Sequence, residues 1–83
     1  MPPPTAESRQ NAVAAANKTA EEARNRIRGA RQAHQKKIRA FEIDKSIRPD
    51  DARKAHKEMD DIAKKGAEEV DRILEGAKRI LEN

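Results

Sequence analysis

Residues 23–39, "ARNRIRGARQAHQKKIR", hold seven of the chain's 19 Lys and Arg residues and no acid. Arg24, Arg28 and Arg31 recur there at i, i+4 and i+7. On a helix, that spacing projects all three from one stripe. Planar guanidinium groups so arranged can straddle a phosphate backbone through bidentate hydrogen bonds. The same pattern also describes the wet flank of a helical bundle, with its cations paired to acids on a neighbouring helix. Glu58, Asp61 and Glu68 are the acids that could do this. Charge alone does not separate the two readings. Phe41 is the single aromatic residue, which argues against base stacking. Backbone or shape recognition of structured nucleic acid remains.

Other chemistry is thin. His34 and His56 lack a convincing set of further ligands at helical spacing, and no HExxH occurs. Both are expected in structural roles. The acid pairs Glu21-Glu22, Asp60-Asp61 and Glu68-Glu69 are sequence neighbours. Neighbours on a helix diverge by about 100°, so no pair forms a catalytic dyad. They read as solvated faces with i,i+4 partners such as Glu22–Arg26, Asp60–Lys64, Asp61–Lys65 and Glu75–Arg79. There is no Cys, no Gly-rich loop, and no Ser or Thr with a His and an acid arranged nearby. An enzyme is not expected, nor a metal or a cofactor. No apolar run approaches the ~20 residues that span a bilayer. The apolar face is mostly Ala, which also argues against an interfacial helix. The N-terminus lacks the pattern of a secretory signal or of an Arg-rich transit peptide.

Elements must carry these residues, and the punctuation defines them. "PPP" at residues 2–4 reads as an extended, polyproline-like entry. Thr5 then fits an N-cap, with Glu7 in the first turn. Val13, Ala16, Ala20, Ala23, Ile27, Ala30, His34, Ile38 and Phe41 follow at steps of 3 and 4. This predicts one long helix over about residues 5–44 with a heptad-like seam. "DKSIRPDD", residues 44–51, breaks it. A residue before Pro is pushed out of the helical region, so Arg48 should be extended. Pro49 fits a first helical position, and Asp50 and Asp51 suit the positive end of the dipole.

The turn is placed at about residues 45–48. A second helix is placed at about 49–81, with Ala52, Ala55, Met59, Ile62, Gly66, Val70, Ile73, Ala77 and Ile80 on its seam. A connection this short makes the helices antiparallel neighbours. The fold class is all-α, an antiparallel hairpin over residues 5–83. Seams so rich in Ala bury little, so the hairpin needs a third helix or self-association to complete a bundle. Gly66, on the seam, would let another helix approach closely. Charge is polarised as well. Residues 1–45 carry ten basic and five acidic side chains, and residues 46–83 nine and ten. That polarisation suggests a polyanionic partner on one side.

The whole chain resembles the C-terminal part of ribosome recycling factor. The likeness is carried by "PPPTAESRQ", "AEEARNRIRGARQAHQKKIRA", "DKSIRPDDARKAHKEMDDI" and "EEVDRILEGAKRILE". "PPPTAESR" and "RPDD" look most like fungal mitochondrial members. The resemblance implies a translation factor with a three-helix bundle and a small α/β domain. Such a factor acts with elongation factor G to split the post-termination ribosome, its bundle lying on large-subunit ribosomal RNA. Arg28 matches the first arginine of the family's run, and Arg31 the second, which is the one most tied to RNA contact. Arg24 and Arg9 match further family arginines. Gly29 stands where the family has an asparagine, and Gln32 where it has a third arginine. Asp44 and Lys45 match the family's turn. The family's first helix and α/β domain have no counterpart, so a fragment, or a scaffold engineered from one, is expected.

The resemblance thus adds RNA contact through Arg9, Arg24, Arg28 and Arg31 and a mitochondrial-matrix parent; otherwise the location would be cytoplasmic. The bundle interface is expected at Val13, Ile27, Ile38, Phe41, Met59, Ile62, Val70 and Ile73, with a homo-oligomer in isolation. The alternative is a non-catalytic scaffold or a coiled-coil interaction module built on the same helices.

Overall fold

The computed structural model describes residues 6–82. The Pro-rich entry and the Thr5 cap expected from the sequence lie outside them. Helix α1 spans Ala6–Ile43 and helix α2 spans Pro49–Glu82. No described residue is in a strand. Cross-helix partners pair 24 with 71, 31 with 60 and 35 with 56, so the helices are antiparallel. The result is a rod of 64 × 15 × 14 Å.

The turn follows from local hydrogen bonding. Ser46 N–H donates to the Phe41 carbonyl at 2.8 Å, and Lys45 N–H to that of Glu42 at 3.1 Å. This is the pair of bonds of a Schellman cap, which needs a left-handed residue between them. Lys45 takes that conformation, with φ 64°. Glycine would adopt it without a Cβ penalty. The Asp44 carboxylate accepts from the Ser46 amide at 2.9 Å and from its hydroxyl. α2 then starts at Pro49, and the Arg48 carbonyl accepts from Ala52 N–H at 2.9 Å.

The core between the helices is thin. Among the described residues only Ala20, Ile38, Ala52, Ala63 and Leu74 are buried, and three of them are Ala. Val13, Ile27, Met59 and Val70 are half-buried. Ile27 lies over Gly66, where an added Cβ would come within 3.3 Å of its Cδ1, so the glycine does permit a close approach.

Both seams depart from expectation at some positions. On α1, Ala30 and His34 are exposed and Phe41 is 50% exposed, whereas Gln35 is half-buried. On α2, Ile62, Ile73 and Ile80 are 63%, 60% and 78% exposed. Their successors Ala63 and Leu74 are buried, and Leu81 is half-buried. On α1 the buried Ala20 and Ile38 lie on the expected seam, as do half-buried Val13, Ala16, Ala23 and Ile27, whereas on α2 burial falls one residue past the seam at Ile62, Ile73 and Ile80. The reason is geometric. In a bundle of three or more helices, the apolar stripe of each helix faces the bundle axis, between its two neighbours. The contact with one neighbour lies to the side of that stripe. Phe41, Ile62 and Ile73 therefore do not lie between α1 and α2.

Candidate nucleic-acid interface

Two grooves run along the hairpin, one on each side of the contact face. The first is lined by Arg24, Ile27, Arg28 and Arg31 of α1 and by Asp60, Ala63, Lys64 and Ala67 of α2. Its floor is Ile27, Ala63 and Ala67. Its walls are charged.

The three arginines of the predicted stripe meet there, but not as equals. Arg24 donates from Nε to Asp71 Oδ1 at 3.0 Å, and a second time through Nη2 to the same oxygen. Its Nη1 reaches Glu21 Oε2 at 3.1 Å. The Asp71 hydrogen bond holds the Arg24 guanidinium above its ordinary range, against an opposing effect of burial. Arg31 Nε donates to Asp60 Oδ1 at 2.7 Å. That hydrogen bond, more than any other influence, holds the Asp60 carboxyl below its ordinary value; Gln35 and His56 add to the effect. Gln35 joins the network, with Nε2 donating to Asp60 Oδ1 at 3.0 Å and Oε1 meeting His56 Nδ1. His56 is thus tied structurally between the helices. Arg28 lines the same groove, is exposed, and makes no ion pair with a described residue.

Arg9 stands apart. It lines a separate concavity with Gln10, Val13 and Glu82. Fifteen residues of helix place it roughly 22 Å from Arg24 at 1.5 Å per residue. It does not join the other three.

The acids that pair with α1 are Asp60 and Asp71, not the expected Glu58, Asp61 and Glu68. The on-helix pairs also differ. Those present are i,i+3: Glu21–Arg24, Asp50–Arg53, Glu69–Arg72 and Glu75–Lys78. The expected Asp60–Lys64 pair is absent because Asp60 turns to Arg31. Exposed pairs of this kind contribute little to stability, so the choice among them is set by small differences. Lys64 was not expected at the site. Only the pairing of the two helices brings it opposite Arg28.

The second groove is apolar. Ala15, Ala16, Thr19, Ala20 and Ala23 line it from α1, and Val70, Ile73, Leu74 and Ala77 from α2. Among the described residues no group of three or more His, Asp or Glu is placed to hold a metal ion. No described helix is long and apolar enough to cross a membrane.

The described residues thus form an all-α helical hairpin with one charged and one apolar groove. Comparison with known proteins gives its family. The chain belongs to the ribosome recycling factor family, whose model matches residues 1–81. It is 42% identical over 62 residues to the ribosome-recycling factor of Sulfurovum sp. (strain NBC37-1), covering 75% of this chain and 34% of that protein. It is 38% identical over 74 residues to that of Carboxydothermus hydrogenoformans, covering 89% and 40%. Against that of Symbiobacterium thermophilum it is 32% identical over 83 residues, covering 99% and 45%. The chain therefore spans less than half the length of these relatives. All three are bacterial, so they lend nothing to the mitochondrial likeness. No solved structure gives a significant match.

Proposed function

We propose that the chain is the helical part of a non-catalytic factor that recycles ribosomes after termination, and that its charged groove lies against large-subunit ribosomal RNA. One observation carries the reading. The family's arginine run falls on one wall of one groove, where Arg24, Arg28 and Arg31 come together. In the longer protein, elongation factor G is the partner in splitting the ribosome. Arg9, at the far end of α1, would make at most a separate contact. The test is co-sedimentation with isolated large subunits over a series of salt concentrations. Binding that weakens with salt, and weakens further with Arg28→Ala or Arg31→Ala, supports the reading. No binding at low salt contradicts it and favours a helical scaffold.

The apolar groove supports a second element of the proposal. Ile73, which lines that groove, is 60% exposed, and Ile62 and Ile80, at helical spacing from it along α2, are 63% and 78% exposed. Apolar side chains at helical spacing are the signature of a face that another helix covers. In the longer protein that helix completes the bundle. In the isolated chain a second copy covers the face. Light scattering at tens of micromolar tests this, since a monomeric mass with full helicity contradicts it.

A further inference from the structure

The apolar face of the hairpin sets large side chains on one helix beside small ones on the other. On α2, Ile62, Ile73 and Ile80 are separated by 11 and 7 residues, about three turns and two turns, so they form one row. On α1, Ala16, Ala23 and Ala30 form a row at steps of 7. Ala16, Ala23 and Ile73 line the apolar groove itself. The two rows run level along the rod. Arg24 meets Asp71 across the hairpin, which puts Ala23 at the height of Ile73 and Ala16 at that of Ile80, each to within about one residue. Arg31 meets Asp60, which puts Ala30 at the height of Ile62.

Charge is divided between the helices in the same way. Within about 50° of Thr19 on the helical wheel, the charged residues of α1 are Arg26 and Lys37. Within about 50° of Ile62, those of α2 are Asp51, Glu58 and Glu69. Arg26, Lys37 and Glu58 are exposed and make no ion pair with a described residue, and Glu69 pairs with Arg72 on its own helix. Arg26 lies two residues past Arg24, and Glu69 two residues before Asp71, so these two are level. Lys37 and Glu58 fall within about one turn of level.

We infer that two copies of this chain pair through this face side by side, turns at the same end, with α1 of each copy against α2 of the other in a symmetric four-helix bundle. The inference rests on the reading that a second copy covers the apolar face, and adds the arrangement. A two-fold axis parallel to the rods keeps every residue at its height and exchanges the helices. Each Ile row of one copy then meets the Ala row of the other, large on small, as a close-packed core requires. Arg26 and Lys37 flank the seam opposite Glu69 and Glu58 of the other copy, and every pair of neighbouring helices is antiparallel. The other symmetric pairing, with turns at opposite ends, sets α1 on α1 and α2 on α2. It opposes Ala to Ala and brings like charges together on both flanks. Flanking charges of this kind choose the partner and its direction, while apolar burial supplies the affinity. The side of the rod, 64 × 15 Å, is large enough to bury the roughly 800 Å² per partner of a standard interface.

The test uses the full chain, which has no Cys of its own. A nitroxide on Ile43→Cys, 80% exposed beside the turn, marks where the two turns lie. Pulsed electron paramagnetic resonance should place the labels less than about 40 Å apart, three to four helix diameters. The opposite pairing would separate them by nearly the 64 Å length of the rod. Sedimentation equilibrium then measures the dimer constant. Arg26→Glu/Lys37→Glu and, separately, Glu58→Lys/Glu69→Lys should each weaken the dimer about 10-fold, since like charges then face each other across the seam. All four changes in one chain should restore it to within about 3-fold of wild type.

A dimer with its labels near 64 Å apart, or one indifferent to the charge reversals, overturns the arrangement and leaves self-association standing. A mass above two chains overturns the two-copy bundle. A monomeric mass with full helicity overturns both readings and leaves the face to a helix from another chain. Circular dichroism separates weakened pairing from unfolding, and the label distance decides the arrangement without any change of charge.

Discussion

The two grooves share one backbone scaffold and differ in nearly everything else. The charged groove sets Arg24, Arg28, Arg31 and Lys64 around a small apolar floor. The apolar groove sets a run of Ala on α1 against Val70, Ile73 and Leu74. Water and counterions can satisfy the first in the free chain. Nothing but another apolar surface satisfies the second. On the proposed reading, one hairpin carries a face for assembly and a face for a charged partner, and α1 and α2 each contribute to both. The contact between them must hold the register of each, with only Ile38 and Leu74 as large buried side chains among the described residues.

That dependence gives the largest expected effect. Leu74→Ala should cost about 2–4 kcal/mol, the usual range for a large buried aliphatic. Both grooves should fail together, seen as a loss of urea resistance in the helical signal. Next comes separation of the faces. Ile73→Glu places a charge in the apolar groove at a position already 60% exposed. It should reduce the assembled mass to that of a monomer while RNA binding persists. Arg28→Glu should do the reverse. If either change alters both properties, the two faces are not independent.

A smaller contrast lies within the charged groove. Arg24→Ala removes contacts with Asp71 and Glu21 and should lower the melting temperature. Arg28→Ala, which breaks no ion pair among described residues, should leave it unchanged. Gly29 has open space where a Cβ would stand, and it lines neither groove. Gly29→Ala should raise stability by up to ~1 kcal/mol, with neither RNA binding nor mass altered.

The smallest effect is in pH. Arg31 lowers the folded pKa of Asp60 from its ordinary 3.8. A carboxylate depressed in the folded state stabilises it above the unfolded value, and that contribution is lost as pH falls through the folded value. Wild type should therefore lose stability below about pH 4 more steeply than Asp60→Asn, and the two should run parallel above pH 5. Because Asp60 is exposed at the surface, salt should shrink the difference.

Helix existence, the break before Pro49 and the antiparallel pairing were legible because each rests on local chemistry. Pro49 has no amide hydrogen to donate, and the turn is too short for any other arrangement. The phase of the contact was legible on α1, where the seam residues Ala20 and Ile38 are buried, and only in part on α2. Ala16, Ala20, Ala23 and Ala30 give a broad, weak apolar arc on α1, and a helix with two neighbours shows in sequence the direction midway between them. The apolar stripe therefore marked Ile62 and Ile73 where the hairpin buries Ala63 and Leu74. The site was legible only on one helix. Spacing alone grouped Arg24, Arg28 and Arg31, since all three lie on one helix. Asp60, Asp71 and Lys64 lie across the contact and depend on its rotation, so Glu58, Asp61 and Glu68 stood as the candidates instead. Gln35 on the contact face was hidden for a further reason. A polar residue there is tolerated only because Asp60 and His56 satisfy it.

The chain has no Cys, so a single cysteine can carry a photo-crosslinker to either groove. Ala67→Cys places it in the charged groove and Ala77→Cys in the apolar one, ten residues apart on the same helix. The decisive measurement is the identity of what each position captures when the labelled chain is mixed with large ribosomal subunits. Position 67 should capture ribosomal RNA, and position 77 should capture polypeptide. RNA captured only from position 77, or from neither position while the chain remains bound, would contradict the assignment of the charged groove to RNA.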